Sequence, residues 1–181
     1  MLVIKVGTST LTHKSGSLNT EIIDKICKTI SKLKNMGFKI ILVSSGAIGV
    51  GMGKMGLISR PESTKEKQAL AAIGQCELMH IYSENFHKYN KVAAQVLLTA
   101  DVVLNEVSKQ NVINTFTVLM DMGVVPIVNE NDTVSVNELH GLNFGDNDNL
   151  SAIVATLINA DKLIILTDID GLYDKDPREN K

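Results

Sequence analysis

The segment Lys5-Val6-Gly7-Thr8-Ser9 places a lysine directly before a turn of small residues. Lysine is costly to bury without a partner, so its ammonium is expected to emerge at the end of a strand, where an anion can bind. Gly7 lets backbone N–H groups approach a phosphate closely, and the hydroxyls add donors. The alternative is an edge-strand lysine that extends to water, and the segment alone leaves both interpretations open.

A second candidate is the run Ser44-Ser45-Gly46-Ala47-Ile48-Gly49-Val50-Gly51, which follows another apolar segment. Free N–H groups and the positive end of a helix dipole at such a place suit a phosphate or a carboxylate. The run is neither a Walker A sequence, because no Gly-Lys-Ser/Thr follows, nor a dinucleotide-binding fingerprint. Close packing is the other use that such glycines have, so this signal is not specific by itself.

Two polar clusters, Asn129-Glu130-Asn131-Asp132 and Gly145-Asp146-Asn147-Asp148-Asn149, form the third candidate. Asp and Asn commonly cap helices, which accounts for Asp146 or Asn147 but not for two such clusters after successive strands. Converging carboxylates and amides can bind an ammonium group, orient lysines or hold hydrated Mg²⁺.

The fourth candidate is the run from Thr167 and Asp168 to Tyr173, followed by Asp176-Pro177-Arg178. Its position after an apolar strand is typical of a nucleotide-binding loop, and the alternative is a turn with solvated charges. A metal site is not predicted. Cys76, His80, Glu84 and His87 share one stripe of a helix, and a straight helix cannot wrap four ligands around one tetrahedral ion.

Strands and helices alternate along the chain, which predicts βαβ units and a largely parallel sheet. The predicted strands are Leu2–Val6, Lys39–Ser44, Val92–Leu98, Val124–Val128 and Lys162–Thr167. The predicted helices run from the N-cap Asn19 to Gly37, from a capping box at Ser63 and Glu66 to about Tyr89, from Val107 to Met122, and from Asp146 to Asn159. Such a sheet binds ligands beyond the carboxyl ends of its strands, where all four candidate segments lie.

Composition narrows the function classes. The 181 residues include 18 Lys and Arg against 20 Asp and Glu, and this net charge of −2 gives no general attraction for nucleic acids or membrane surfaces. No apolar run approaches the roughly 18 residues that a membrane span needs. Cys27 and Cys76 form no CxxC pair, which favours a reducing compartment. We therefore predict a cytoplasmic protein that binds neither nucleic acid nor membranes.

Taken together, these segments resemble the amino acid kinase family, and within it the members that phosphorylate glutamate. The motifs that carry the resemblance are KVGTS (Lys5–Ser9), SSGAIGVG (Ser44–Gly51), AAIGQ (Ala71–Gln75), NENDTV (Asn129–Val134), FGDNDNLSA (Phe144–Ala152) and TDIDGLYDKDPR (Thr167–Arg178). The resemblance implies an α/β fold, a three-layer αβα sandwich around a mainly parallel sheet. It also implies ATP-dependent transfer of a phosphoryl group to the side-chain carboxylate of L-glutamate, the first step of proline biosynthesis.

The resemblance also implies roles for single residues. ATP is expected against Lys5, Gly7, Thr8, Thr167 and Asp168, and glutamate against Ser45, Gly46, Asp132 and Asn147. Lys5 and Asp148 are the expected catalytic residues, with Asp148 organising the lysine. Mg²⁺ is expected to be held mostly by phosphates and water rather than by protein ligands.

The domain organisation implied is a single kinase domain over residues 1–181 that lacks the C-terminal part of such domains, where a glycine-rich segment supplies a second lysine. No RNA-modification-like C-terminal domain is expected, and the family resemblance implies a homo-oligomer. Two alternatives stay open: another member of the family that resembles aspartokinases, and a nucleotide-binding module without catalytic activity.

Overall fold

The computed structural model describes residues 1–13, 17–99, 101–134, 147–167 and 171. The five strands are β1 (Leu2–Val6), β2 (Ile40–Ser44), β3 (Ala93–Leu98), β4 (Val125–Glu130) and β5 (Lys162–Leu166). The helices are α1 (Thr8–Leu11), α2 (Thr20–Asn35), α3 (Ala47–Lys54), α4 (Thr64–His87), α5 (Asp101–Leu104), α6 (Glu106–Asp121) and α7 (Asn147–Leu157). None of these helices is both long enough and apolar enough to cross a membrane.

The described strands form one five-stranded sheet in the order β3-β4-β2-β1-β5, and every pairing is parallel. The predicted parallel sheet is therefore confirmed, and the strand bounds agree with the predicted ones to within two residues. In the register, Val6 lies beside Ser44 on one side and Leu166 on the other. The carboxyl ends of β1, β2 and β5 are thus level with one another.

Helices cover both faces of this sheet, because alternate residues of each buried strand point to opposite sides. Ile4, Leu42 and Ile127 pack on one side with α2 and α4, in a core that also holds Tyr82 and Phe86. On the other side, Val3, Ile41, Val43 and Val128 pack with α6 and α7, whose largest contributions are Phe116 and Leu150. The three-layer αβα sandwich is confirmed by these two cores.

Helix ends follow the predicted signals in most cases. The Asn19 side chain accepts a hydrogen bond from the Ile22 N–H at 3.1 Å, as an N-cap should. Gly37 and Gly123, just past the ends of α2 and α6, have φ values of 93° and 79°, a left-handed conformation that glycine adopts without strain. Ser63 is the N-cap residue of α4, as predicted, but the predicted capping box is wrong, because the Ser63 side chain makes no capping hydrogen bond.

Helices α3 and α4 approach each other almost to backbone contact. A Cβ added at Gly74 would lie 1.8 Å from the carbonyl oxygen of Ala47, and one added at Gly51 would lie 2.0 Å from that of Leu70. Both positions therefore require glycine. Close packing was the alternative use considered for the glycines after β2, and it applies to Gly51. The close approach also fixes where α4 stands relative to the segment after β2.

Candidate active site

A pocket of about 390 Å³ opens beyond the carboxyl ends of β1, β2 and β4, where the order of the sheet predicts a ligand site. It is lined by Thr8, Ser45, Gly46, Ala47, Ile48, Gly49, Met52, Arg60, Asn129, Glu130, Asp132 and Asn147. Three of the four segments singled out in the sequence therefore contribute to one pocket. All four residues expected to bind glutamate are among its lining residues.

Lys5 forms an ion pair with Asp148 at the end of β1. The Lys5 Nζ lies 2.6 Å from the Asp148 Oδ1, and the side chains are 7% and 44% exposed. Burial of the lysine stem in the sheet leaves the ammonium at the strand end, where the first turn of α7 meets it. The alternative of a lysine that extends to water from an edge strand is wrong, because β1 is an inner strand with partners on both sides.

Gly7 lies close to the Lys5 ammonium. A Cβ added there would be 3.4 Å from Lys5 Nζ and 3.9 Å from the Leu166 carbonyl oxygen. Gly7 therefore adjoins the ends of both β1 and β5. Thr8, which was expected to bind ATP, lines the same pocket as the residues expected to bind glutamate.

The segment after β2 turns sharply into α3. Gly46 precedes the helix with a φ of 101°, which other residues rarely adopt, so its place in the turn depends on its lack of a side chain. The first residues of α3, Ala47, Ile48 and Gly49, line the pocket together with Ser45. Free N–H groups at a helix N-terminus favour an anionic group such as a carboxylate.

Asn147 joins three parts of the pocket through one amide nitrogen. Its Nδ2 lies 2.7 Å from Ser45 Oγ, 3.1 Å from the Ser44 carbonyl oxygen and 3.1 Å from Asn129 Oδ1. The interpretation of Asn147 as a simple helix cap is wrong, since it is the first residue of α7 and its side chain donates to other elements. All three contacts use Nδ2, and within the part of the chain that the structure describes no hydrogen bond reaches the carbonyl Oδ1.

Asp132 is a partly buried carboxylate that faces the pocket. The pKa of Asp132 is raised to about 6, chiefly by burial and in addition by the neighbouring Glu130, while Arg60 acts in the opposite direction. Within the described residues, no lysine or arginine forms an ion pair with it. The site therefore holds a carboxylate that is mostly ionised at neutral pH and whose charge Arg60 offsets only in part, and an incoming ammonium group could form the missing ion pair.

Arg60 and Glu130 line the pocket but were not among the predicted site residues. Arg60 lies in an exposed segment without a strand or helix, so nothing in its sequence context distinguishes it from a surface arginine. Glu130 lies in the NEND cluster, and its place at the end of β4 was the signal that could have indicated it. Arg60 adds a positive charge to the pocket lining, and Glu130 adds a negative one.

Thr167 follows β5 and is exposed, one residue after the Leu166 that pairs with β1. Asp168, expected to bind ATP with it, lies outside the described residues, as do Asp146 and most of the segment up to Arg178. Among the residues that the structure describes, no group of three or more His, Cys, Asp or Glu side chains is arranged to hold a metal ion. Cys27 and Cys76 are both free thiols, the first buried and the second exposed.

Comparisons with family models and with known proteins point to the same family. The model of the amino acid kinase family matches residues 1–181. The chain is 61% identical to the glutamate 5-kinase of Clostridium perfringens over 181 residues, which covers 99% of this chain and 67% of that protein. It is 53% identical to the glutamate 5-kinase of Enterococcus faecalis, again with 99% and 67% covered. The chain thus spans about two thirds of the length of these relatives.

A likeness to a solved structure supports the fold. The isopentenyl phosphate kinase of T. acidophilum, in a product complex, superposes with a TM-score of 0.67 at 22% identity. The match covers 99% of this chain and 75% of that one. At this identity the likeness bears on the fold alone.

Proposed function

Because the chain belongs to the amino acid kinase family, we propose that it transfers the γ-phosphoryl group of ATP to the side-chain carboxylate of L-glutamate. The product is glutamyl 5-phosphate, the first intermediate of proline biosynthesis. The relatives that are 61% and 53% identical carry the name of this activity.

The observation that carries the proposal is the presence of two opposite charges at the carboxyl ends of the strands. Asp132 lines the pocket and has no ion-pair partner among the described residues, and Lys5, which is not a lining residue, brings a buried ammonium to the end of β1, shortly before Thr8 of the lining. An amino acid with a second carboxylate has the complementary pattern: its α-ammonium faces Asp132 and Asn147, while its side chain extends toward Lys5. The N–H groups at the start of α3 suit its α-carboxylate.

The proposed reaction needs no general base. A glutamate side chain has a reference pKa of about 4.3, so it is ionised at neutral pH and is itself the nucleophile. One of its oxygens attacks the γ-phosphorus of ATP in line, the new O–P bond forms as the bond to the β-phosphate oxygen breaks, and ADP leaves. The protein's contribution is positioning and electrostatic stabilisation rather than proton transfer.

Lys5 is proposed to stabilise the charge that spreads over the transferred phosphoryl group. Its ammonium is buried and held by Asp148 at 2.6 Å, so it is fixed in place before substrates bind. A charge fixed in this way needs no reorganisation during the reaction, which is the condition under which electrostatic stabilisation is most effective. Asp148 acts as the group that orients the lysine.

ATP is proposed to lie against Lys5, Gly7, Thr8 and Thr167, and the proposal includes Asp168, the next residue in the sequence. Mg²⁺ would accompany the nucleotide and neutralise phosphate charge. This ion usually keeps several water ligands and is held by phosphates with one or two carboxylates. Asp148 fits such a role as an oxygen donor, because its side chain is 44% exposed although one oxygen contacts Lys5.

The domain organisation, the cellular compartment and the oligomeric state are also proposed. Residues 1–181 would belong to a single kinase domain, and the whole protein would work in the cytoplasm as a homo-oligomer. Two free cysteines are consistent with a reducing compartment. Light scattering on the natural full-length protein would measure its oligomeric state.

An acceptor panel tests the proposed substrate. The natural full-length protein is incubated with Mg·ATP and L-glutamate, L-aspartate or N-acetyl-L-glutamate, and both ADP and the acyl phosphate, trapped with hydroxylamine, are measured. Glutamate should give equal amounts of the two products. Aspartate is one methylene shorter, and N-acetylglutamate lacks the ammonium that Asp132 would bind, so both should react much more slowly. Preference for either would overturn the assignment.

A further inference from the structure

Gln75 is a buried amide behind the pocket to which no role has been assigned. It lies in α4, is 8% exposed, and is not a lining residue. Its Oε1 accepts a hydrogen bond of 2.9 Å from Asn129 Nδ2. Its own Nε2 is buried and makes no hydrogen bond within the described residues. A polar side chain placed here at such cost points to a role beyond packing.

The hydrogen bonds around Asn129 have a fixed direction. The Glu130 N–H can only donate, and it donates to Asn129 Oδ1 at 2.9 Å. Asn147 Nδ2 donates to the Ser44 carbonyl oxygen, which can only accept, and to the same Asn129 Oδ1. The Asn129 oxygen must therefore face Glu130 and Asn147, while its nitrogen faces Gln75.

We infer that Gln75 is a positioning residue for the amino acid acceptor, acting through Asn129 and Asn147. Its oxygen satisfies the Asn129 nitrogen and thereby opposes a flip of the Asn129 amide. A flipped amide would place the Asn129 nitrogen against two other donors, from Glu130 and Asn147. The Asn147 side chain would then lose an acceptor and its fixed orientation in the pocket. The inference rests on the proposed function, because it concerns the acceptor of that reaction.

The packing of α4 explains why Gln75 can reach this place. Its neighbour Gly74 lies so close to α3 that an added Cβ would be 2.5 Å from the Gly51 nitrogen. This approach brings the next side chain to the end of β4, where Asn129 is 4% exposed. Helix α4 thus packs against α3, whose first residues line the pocket, and it also places the Gln75 amide behind the pocket.

The test is a comparison of two buried amides in one helix. Gln75→Met removes the acceptor at similar volume, and Asn85→Leu, a matched control, removes a buried amide whose partners are Ile81 and Lys88, away from the pocket. In the full-length protein, Gln75→Met should raise the KM for glutamate about fivefold, the size of one lost hydrogen bond. The KM for ATP should change less than twofold. Asn85→Leu should lower Tm without changing either KM.

A double variant tests whether Gln75 acts through Asn147. In an Asn147→Ala background, Gln75→Met should raise the KM for glutamate no further, because the side chain that it orients is gone. If the two effects instead multiply, or if Gln75→Met raises both KM values equally, the inference is overturned.

A third variant keeps the inference testable if Gln75→Met does not fold. Gln75→Leu also removes the acceptor oxygen toward Asn129, in a side chain of different shape, and should likewise raise the KM for glutamate about fivefold while the KM for ATP changes less than twofold. An unchanged KM for glutamate in a folded Gln75→Leu protein would contradict the inference. Absence of glutamate phosphorylation in the wild-type protein would instead refute the proposed function, so the two failures are distinguishable.

Discussion

Replacing Asp132 with asparagine should make the protein more stable and a poorer kinase at the same time. Folding raises the pKa of Asp132 to about 6 from a reference value of 3.8, chiefly by burial. Between these two values the folded state binds more protons than the unfolded state, so the free energy of unfolding falls as the pH rises through this window. Above about pH 6 the full cost of the ionised carboxylate is present, and asparagine removes it.

The size of the effect follows from the shift. One pKa unit corresponds to about 1.4 kcal/mol. Because the side chain is only partly buried and water screens its charge, we expect Asp132→Asn to raise the free energy of unfolding at pH 7.5 by about 1 to 2 kcal/mol. The KM for glutamate should rise at least about tenfold, since a charge-assisted hydrogen bond to the ammonium is lost.

Urea denaturation without ligands, at pH 7.5 and pH 4, measures the first effect, and steady-state kinetics measures the second. The stability gain should largely disappear at pH 4, where the folded-state carboxyl is almost fully protonated and the unfolded-state carboxyl, with its reference pKa of 3.8, is close to its midpoint. Asp121→Asn is the control, because Asp121 is exposed and paired with Lys39, and it should change stability by about 0.5 kcal/mol or less. A destabilised Asp132→Asn protein with a normal KM for glutamate would refute the reasoning.

Three further results are expected. The KM for glutamate should rise about tenfold from pH 7 to pH 5, because protonated Asp132 no longer attracts the ammonium, whereas a pH-independent KM in this range would contradict this. Lys5→Met should lower kcat at least about 100-fold in stopped assays. Lys39→Met is the control, because it breaks an exposed ion pair of the same 2.6 Å length, and it should leave kcat unchanged. Gly74→Ala should lower the free energy of unfolding, measured by urea titration, by about 3 kcal/mol, because its Cβ would meet a backbone oxygen. A decrease below about 1 kcal/mol would contradict the close packing of α3 and α4.

The sheet could be predicted from the sequence because its strands are short apolar runs bounded by turn residues. β1 begins and ends at the predicted residues, since Leu2–Val6 is an apolar run that is bounded by Gly7 and carries a single lysine, next to its last residue. The capping box at Ser63 failed because a spacing pattern does not guarantee that a side chain turns back onto its helix.

The contents of the site were only partly predictable. Ser45 and Asp132 follow β2 and β4, which are neighbours in the sheet. Ligand sites lie beyond the carboxyl ends of parallel strands, so the sequence was enough to predict one shared site for these two residues. Arg60 and Gln75 belong to a loop and a helix that are distant in sequence from those strands, and only tertiary packing brings them near. The role of Asn147 as a donor to Ser45 and Asn129 also depends on three-dimensional contacts, whereas its local sequence predicts a cap.

The most direct measurement follows an oxygen atom from glutamate to phosphate. L-Glutamate labelled with ¹⁸O in its side-chain carboxylate is incubated with the full-length protein, Mg·ATP and hydroxylamine. The released phosphate is then analysed by mass spectrometry. If the carboxylate attacks the γ-phosphorus, one labelled oxygen becomes the bridging atom of the acyl phosphate and remains with phosphate when hydroxylamine attacks the carbonyl carbon. Each phosphate should therefore carry one glutamate oxygen. Phosphate without label, formed together with ADP, would mean that water is the acceptor and would contradict the proposed kinase activity.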